Sequence, residues 1–189
     1  MADQGSEGLL SPFLRNQRFE AAKPYLRGRV LDIGCGAGGL ARFVDPDAYF
    51  GTDVDEASLA LARANHPAHR FSPTMPDDGE RFDTIVALAV IEHVPNPAEF
   101  LRSLARYLST SQDARIICTT PHPTVDFIHG LGSRIGLFSR SANDEHEDLL
   151  DRAALDRAST QAGLRLVEYK RFLFGANQIA AISGGGKVA

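Results

Sequence analysis

Short apolar runs and amphipathic stretches alternate along this chain, and their order sets out its elements. Residues 13–24 carry a helical pattern, and the run 29–33 reads as a strand. A short helix over 39–44 and a second strand over 48–52 follow. Asp55 is placed to cap a helix reaching residue 64. A short third strand lies at 70–72 and a fourth at 81–88. Asn96-Pro97-Ala98-Glu99 opens the next helix with a capping residue, a proline at its first position and a glutamate at its third. The run 114–119 is a fifth strand, and a helix over 151–162 is stopped by Gly163. Two further strands, 164–174 and 178–182, complete the pattern.

Strands that alternate with helices in this way imply a parallel sheet covered on both faces, an α/β architecture. The last two strands break the rule. Only Gly175, Ala176 and Asn177 separate them, too few residues for a parallel crossover. They are expected to form an antiparallel hairpin.

Within this frame one segment carries chemistry. Three apolar residues enclose Asp32 in Val30-Leu31-Asp32-Ile33, and Gly34-Cys35-Gly36-Ala37-Gly38-Gly39 follows directly. Glycines here force a tight turn and let backbone N–H groups approach a ligand that a Cβ would exclude. Gly34-x-Gly36-x-x-Gly39 also satisfies the dinucleotide pattern, so the turn announces a nucleotide-like cofactor without choosing one. Asp53 lies 19 residues beyond Gly34, at the end of the second strand. A carboxylate there can accept both hydroxyls of a ribose, whereas Asp55 suits a helix cap.

The segment from Val30 to Gly39, followed by Tyr49-Phe50-Gly51-Thr52-Asp53-Val54-Asp55, resembles the first two motifs of class I S-adenosylmethionine-dependent methyltransferases. Residues 82–94, ending in Glu92-His93-Val94, resemble the fourth-strand motif of that family, and the likeness runs from about Arg18 to Ile182. It implies a Rossmann-like, doubly wound seven-stranded sheet whose last strand inserts antiparallel. It also implies S-adenosylmethionine as cofactor. Gly34, Gly36 and Gly38 match the motif glycines, with Cys35 supplying backbone between them. Asp32 matches the acid that orients the amino-acid end of the cofactor, and Asp53 the ribose-binding acid. Val54 is expected against the adenine, and Leu88 near the cofactor. Asn16-Gln17-Arg18 resembles the leading segment of ubiquinone-biosynthesis O-methyltransferases, whose arginine holds the cofactor carboxylate, although the match is shifted by one residue. One departure stands out: Phe71-Ser72-Pro73-Thr74-Met75-Pro76 lacks the acid that binds the adenine amine in many relatives. Thr74 or a backbone carbonyl is left to substitute.

A sulfonium methyl is already electrophilic, so the protein must chiefly align the acceptor. An oxygen or nitrogen acceptor can also use a base, and the histidines at 93, 122, 129 and 146 are the candidates. His93, after the fourth strand, and His146, in an acidic stretch, are retained as catalytic candidates against structural roles. Glu92 and His93 also match part of the metal set of small-RNA 2′-O-methyltransferases, but Ala89 stands where a second glutamate would be, so no metal is expected. Residues 120–150 form a long link, far longer than usual between such elements, expected to cover the acceptor or to make a dimer contact.

Composition narrows the class. The 189 residues, 43% hydrophobic, suit one domain with a single core, with 1–10 and 184–189 as flexible ends. Net charge is −4 without a long basic run, which points away from nucleic acid. A polar start unlike a signal peptide and two cysteines without a metal-type pair suit a cytoplasmic location. No apolar stretch is long enough for a membrane span. The expected activity is methyl transfer from S-adenosylmethionine to a small molecule, most simply to oxygen. Saccharide and secondary-metabolite acceptors, including quinones, remain open, as does a homodimer. A non-catalytic S-adenosylmethionine-binding or partner protein is the alternative, with an NAD-dependent reductase behind it.

Overall fold

Val30, Leu31 and Ile33 enclose Asp32 in β1 (Val30–Ile33), and all four residues are buried. The computed structural model describes residues 10–123 and 150–184. Ahead of β1 runs α1 (Leu10–Ala22), and after it come β2 (Tyr49–Thr52), α2 (Glu56–Asn65) and β3 (Arg70–Ser72). The chain continues through β4 (Thr84–Leu88), α3 (Pro97–Ala105), β5 (Arg115–Pro121), α4 (Arg152–Gln161), β6 (Leu164–Phe172) and β7 (Asn177–Gly184). The strands form one sheet in the order β3-β2-β1-β4-β5-β7-β6. The first five are parallel, and β7 runs antiparallel between β5 and β6. The hairpin is present.

Period-two alternation divides the side chains between the two faces. One face carries Leu31, Ile33, Ile85, Ile116 and Ile182 against Leu101 and Leu104 of α3 and Leu155 of α4. The other carries Val30, Tyr49 and Val86 beneath Leu40, Ala41 and Phe19, then Ile117 and Ile179 beneath Ala22. Asp55 caps α2 by accepting from Ala57 and Ser58 N–H, and Asn96 caps α3 by accepting from Ala98 and Glu99. These caps satisfy N–H groups that a helix start leaves open.

Three expected boundaries are corrected. The helix over 39–44 is only a 3-10 turn, Ala41–Phe43. Asp45 precedes Pro46 and takes extended geometry, as residues before proline do, so a full helix has no room. The fourth strand starts at Thr84 rather than at 81. Asp83 instead uses its carboxylate to accept from Arg29 N–H (3.0 Å) and Ser109 Oγ (2.7 Å). Finally, β6 stops at Phe172, because Leu173 and Phe174 take φ of 52° and 53° and begin the turn with Gly175.

Fully buried Gln178 ties the two described segments together. Its Nε2 donates to the carbonyls of Pro121 (3.0 Å) and Leu150, while its Oε1 accepts from Tyr169 Oη at 2.7 Å. Pro121 ends β5 and Leu150 precedes α4, so one side chain joins the stems on either side of residues 124–149. Gln178→Leu strands three polar groups and is expected to lower unfolding free energy by about 2–4 kcal/mol. Tyr169→Phe, which strands one acceptor, should cost about 1 kcal/mol. Urea unfolding of both variants checks the order.

Candidate cofactor site

The glycine turn is built by left-handed backbone. Gly34, Gly36 and Gly38 have φ of 69°, 51° and 78°, values that side chains rarely tolerate. Around Gly34 and Gly38 space is short: a Cβ would lie 2.8 Å from Val90 Cγ2 or 3.0 Å from the Phe71 ring. Gly36 differs, with no heavy atom within 4 Å of such a Cβ. Its Cα faces open space in which a ligand can approach the backbone.

Two residues at the tip of β2 hold the turn. The Thr52 carbonyl accepts from Gly34 N–H (2.8 Å) and Cys35 N–H (3.1 Å). Asp53 Oδ2 accepts from Gly36 N–H at 2.7 Å, and Oδ1 from Asp55 N–H at 3.0 Å. A carboxylate has about four acceptor positions, so Asp53 keeps capacity for ribose hydroxyls. Val54 beside it is 96% exposed, an open apolar surface at the position expected to meet adenine. Further along, Thr74 bonds its hydroxyl to Ser72 Oγ (3.0 Å) and its carbonyl to Thr52 Oγ1 (3.3 Å).

Asp32 is buried below the turn and accepts from Tyr49 Oη at 2.7 Å. Burial pushes its carboxyl up to about 7; the Tyr49 bond opposes that rise and the Asp53 charge adds to it. Cys35 turns its sulfur toward Gly51, where a Cβ would come within 3.0 Å of it. Burial and the Asp32 charge raise its thiol well above the ordinary range, so Cys35 contributes backbone rather than a nucleophile. Leu88 is half-buried where the two apolar clusters under α1 meet.

Arg18 projects from α1 and donates from Nε to Asn177 Oδ1 at 3.2 Å. Burial lowers its pKa and the Glu92 charge counteracts that. Glu92 is buried, its carboxyl raised by desolvation, with Oε2 lacking a partner. Its neighbour His93 is exposed, at the end of the 3-10 turn Ile91–His93. His122 is half-buried and donates its N–H to the Ala176 carbonyl at 2.9 Å. His146 and most of the 120–150 link lie outside the described residues. Among the described residues, no three His, Cys, Asp or Glu side chains cluster as a metal site would require.

The structure thus brings the turn glycines, Asp32 and Asp53 together at the ends of β1 and β2. It places Arg18, Glu92 and Asn177 around the ends of β4, β5 and β7. Tyr49 and Asn177 were not anticipated. Tyr49 follows from strand register, but Asn177 lies 159 residues from Arg18 and leaves no local signal. A groove of about 680 Å³, lined by Ala21, Tyr25, Arg115, Lys170 and Phe172, includes no residue of the glycine turn.

A glycine turn clamped by an acid on the neighbouring strand, in a sheet with an inserted antiparallel last strand, defines a nucleoside-binding α/β domain of the methyltransferase type. A family model described as a methyltransferase domain matches residues 9–169. The chain belongs to this family, the class I S-adenosylmethionine-dependent methyltransferases. It is 34% identical over 114 residues to the mitochondrial ubiquinone biosynthesis O-methyltransferase of Arabidopsis thaliana, covering 52% of this chain and 34% of that protein. It is 28% identical over 166 residues to the ubiquinone biosynthesis O-methyltransferase of Ruegeria sp. (strain TM1040), covering 80% and 66%. The chain therefore spans between a third and two thirds of these relatives' lengths. In fold it is similar to magnesium protoporphyrin IX methyltransferase from Synechocystis PCC 6803 with bound SAH, with a TM-score of 0.67, 18% identity and coverage of 96% and 90%.

Asp32 also sets a stability signature. Its native pKa of about 7 lies above the ordinary 3.8, so between these values the folded state holds the extra proton. Stability should fall as pH rises through that window. Asp32→Asn removes the ionisation and is expected to flatten the slope, stabilising the ligand-free protein at pH 8 by on the order of 2 kcal/mol. Thermal unfolding from pH 5 to 8 measures both.

Proposed function

We propose that the protein binds S-adenosylmethionine and transfers its methyl group to an oxygen of a small molecule. A single hydrogen bond supports this choice of cofactor over a dinucleotide: the Gly36 N–H already donates to Asp53. A pyrophosphate needs free N–H groups at a helix start, yet the turn here leads only into the three-residue 3-10 helix Ala41–Phe43. The Asp53 carboxylate stands close enough to Asp32 to add its charge to the burial that raises the Asp32 carboxyl. Such a site favours a cation carrying a ribose.

The residues present fit that cofactor. Gly36 leaves room at the backbone, Asp53 offers acceptor positions to the ribose, and Val54 offers a face to adenine. Asp32 faces the ammonium, and the Arg18 guanidinium holds the carboxylate of the amino-acid end. When bound, the cofactor supplies an electrophilic methyl on a sulfonium. The chain's own task is to hold the acceptor in line, since orientation alone contributes several kcal/mol, up to about 7–11. His93, exposed at the end of the 3-10 turn after β4, is our candidate for taking the acceptor proton, with His146 as the other. The curated relatives are ubiquinone biosynthesis O-methyltransferases, which supports oxygen as the acceptor atom and puts a quinone-type acceptor ahead of a saccharide.

Calorimetry is expected to show binding of S-adenosylmethionine and S-adenosylhomocysteine and none of NAD. Asp53→Ala should weaken binding by about 1.5–3 kcal/mol, the scale of hydrogen bonds to a charged group. Tight NAD binding without response to the sulfur nucleosides would overturn the assignment. With labelled S-adenosylmethionine and hydroxylated acceptors, His93→Ala should lower turnover about 10²-fold or more if it is the base. Full turnover by this variant would remove His93 from that role.

A further inference from the structure

Tyr49 opens β2 with its ring on the face that β1 gives to Val30 and Asp32. The side chain is 2% exposed. Its ring meets His69 and Phe71 edge-on, with centroids 5.4 and 5.6 Å away. Those contacts fix the direction of its hydroxyl, which donates to Asp32 Oδ2 at 2.7 Å. Gly51, paired with Asp32 across the strands, adds no side chain of its own; the Phe71 ring and Cys35 Sγ already occupy the space a Cβ would take, at 2.8 and 3.0 Å. Asp32 is therefore held from one side by a single rigid donor. It is not among the buried groups left without a partner, which in the described residues are on His69, Glu92, Thr119 and Ser183.

We infer that Tyr49 is a positioning residue for the ammonium group of the cofactor's amino-acid end, holding one Asp32 oxygen so that the carboxylate is presented as an anion beneath the glycine turn. This rests on the proposed binding of S-adenosylmethionine. An ammonium gains from Asp32 only while the carboxyl is ionised. The surroundings work against ionisation. Asp53 at the tip of β2 adds a like charge and Cys35 in the turn is neutral; the residue paired from β4 is Val86. His69 meets the Tyr49 ring edge-on. Tyr49 is the group that opposes the rise, so its hydroxyl keeps the carboxylate available near neutral pH. A hydroxyl donating to a carboxylate is a charge-assisted bond, stronger than a neutral one.

Tyr49→Phe keeps the ring and deletes only the donor. Two ligands separate its effects: S-adenosylhomocysteine carries the ammonium, and 5′-methylthioadenosine has the same nucleoside without the amino acid. Calorimetry from about pH 6 to pH 8.5 is expected to show three results. At about pH 7 the variant binds S-adenosylhomocysteine about fivefold more weakly. Its midpoint for loss of that affinity on acidification moves upward by about one pH unit. Binding of 5′-methylthioadenosine stays within about twofold of the native protein, which also reports an intact fold. An equal loss for both ligands would make Tyr49 merely structural, and no loss for either would remove its role; both overturn the inference. Failure of the native protein to bind either nucleoside would instead overturn the cofactor assignment on which it rests.

Discussion

Four backbone N–H groups converge on the tip of β2: Gly34 and Cys35 on the Thr52 carbonyl, Gly36 and Asp55 on the Asp53 carboxylate. Left-handed glycines cannot continue a regular ladder, so their N–H groups need acceptors elsewhere. Without these acceptors the turn would have no reason to hold one conformation. With them, the end of β1 is fastened to the end of β2, and α2 starts from the same joint because Asp55 caps it. Everything placed around the turn inherits its precision from that joint. Gly39 then lets the chain pass under α1, where a Cβ would lie 2.6 Å from the Phe19 ring.

Departures from ordinary backbone and side-chain rules gather at the same end of the sheet. Ala89, just beyond β4, has φ of 56°, and Leu173 and Phe174 take similar values just beyond β6. Each such residue costs of order 1–3 kcal/mol and persists only where its surroundings impose it. Ala89 is held by donating its N–H to the Thr119 carbonyl at 2.9 Å. Thr119 Oγ1 and Glu92 Oε2, both buried and without partners, lie on this end as well. At the opposite end His69 Nδ1 and Ser183 Oγ are also buried without partners, but among the described residues no non-glycine residue there takes a positive φ. A sheet whose strained non-glycine backbone lies along the carboxyl ends of its strands is organised around a ligand there.

Local signals in the sequence were faithful, and long-range ones were silent. The third strand, the caps at Asp55 and Asn96 and the stop at Gly163 each depend on residues within a few positions, and each stands where the pattern puts it. The antiparallel hairpin was legible because loop length alone forbids a crossover. Residues 39–44 were misread because helix-forming side chains outweighed Pro46 downstream. Leu173 and Phe174 were misread because apolar character says nothing about the sign of φ. In the site, the glycines and Asp53 were legible as a spaced motif. The Tyr49–Asp32 bond was not, since it needs the register of β1 on β2, and the Arg18–Asn177 bond joins the first helix to the last strand.

The electrostatics of the turn bear on which cofactor such a glycine pattern can serve. Gly-x-Gly-x-x-Gly describes spacing, and spacing permits either a pyrophosphate or a ribose and amino acid. What separates them is where the N–H dipoles point. When they point outward from the start of a long helix, partial positive charge gathers and an anion is stabilised. Here the Gly36 N–H points at a carboxylate of the same protein. Its positive end is already neutralised, and the helix that would add to it is reduced to one 3-10 turn. An incoming pyrophosphate would meet Asp53 instead of a ring of donors, with Asp32 buried behind it. A cationic ligand meets the reverse: positive charge brought toward Asp32 and Asp53 offsets the burial, and the smaller like-charge repulsion, that lift the Asp32 pKa. An acid at the end of the second strand serves either cofactor by its ribose; in this chain Asp53 also takes up the Gly36 N–H, and it is that bond which turns the site toward positive charge.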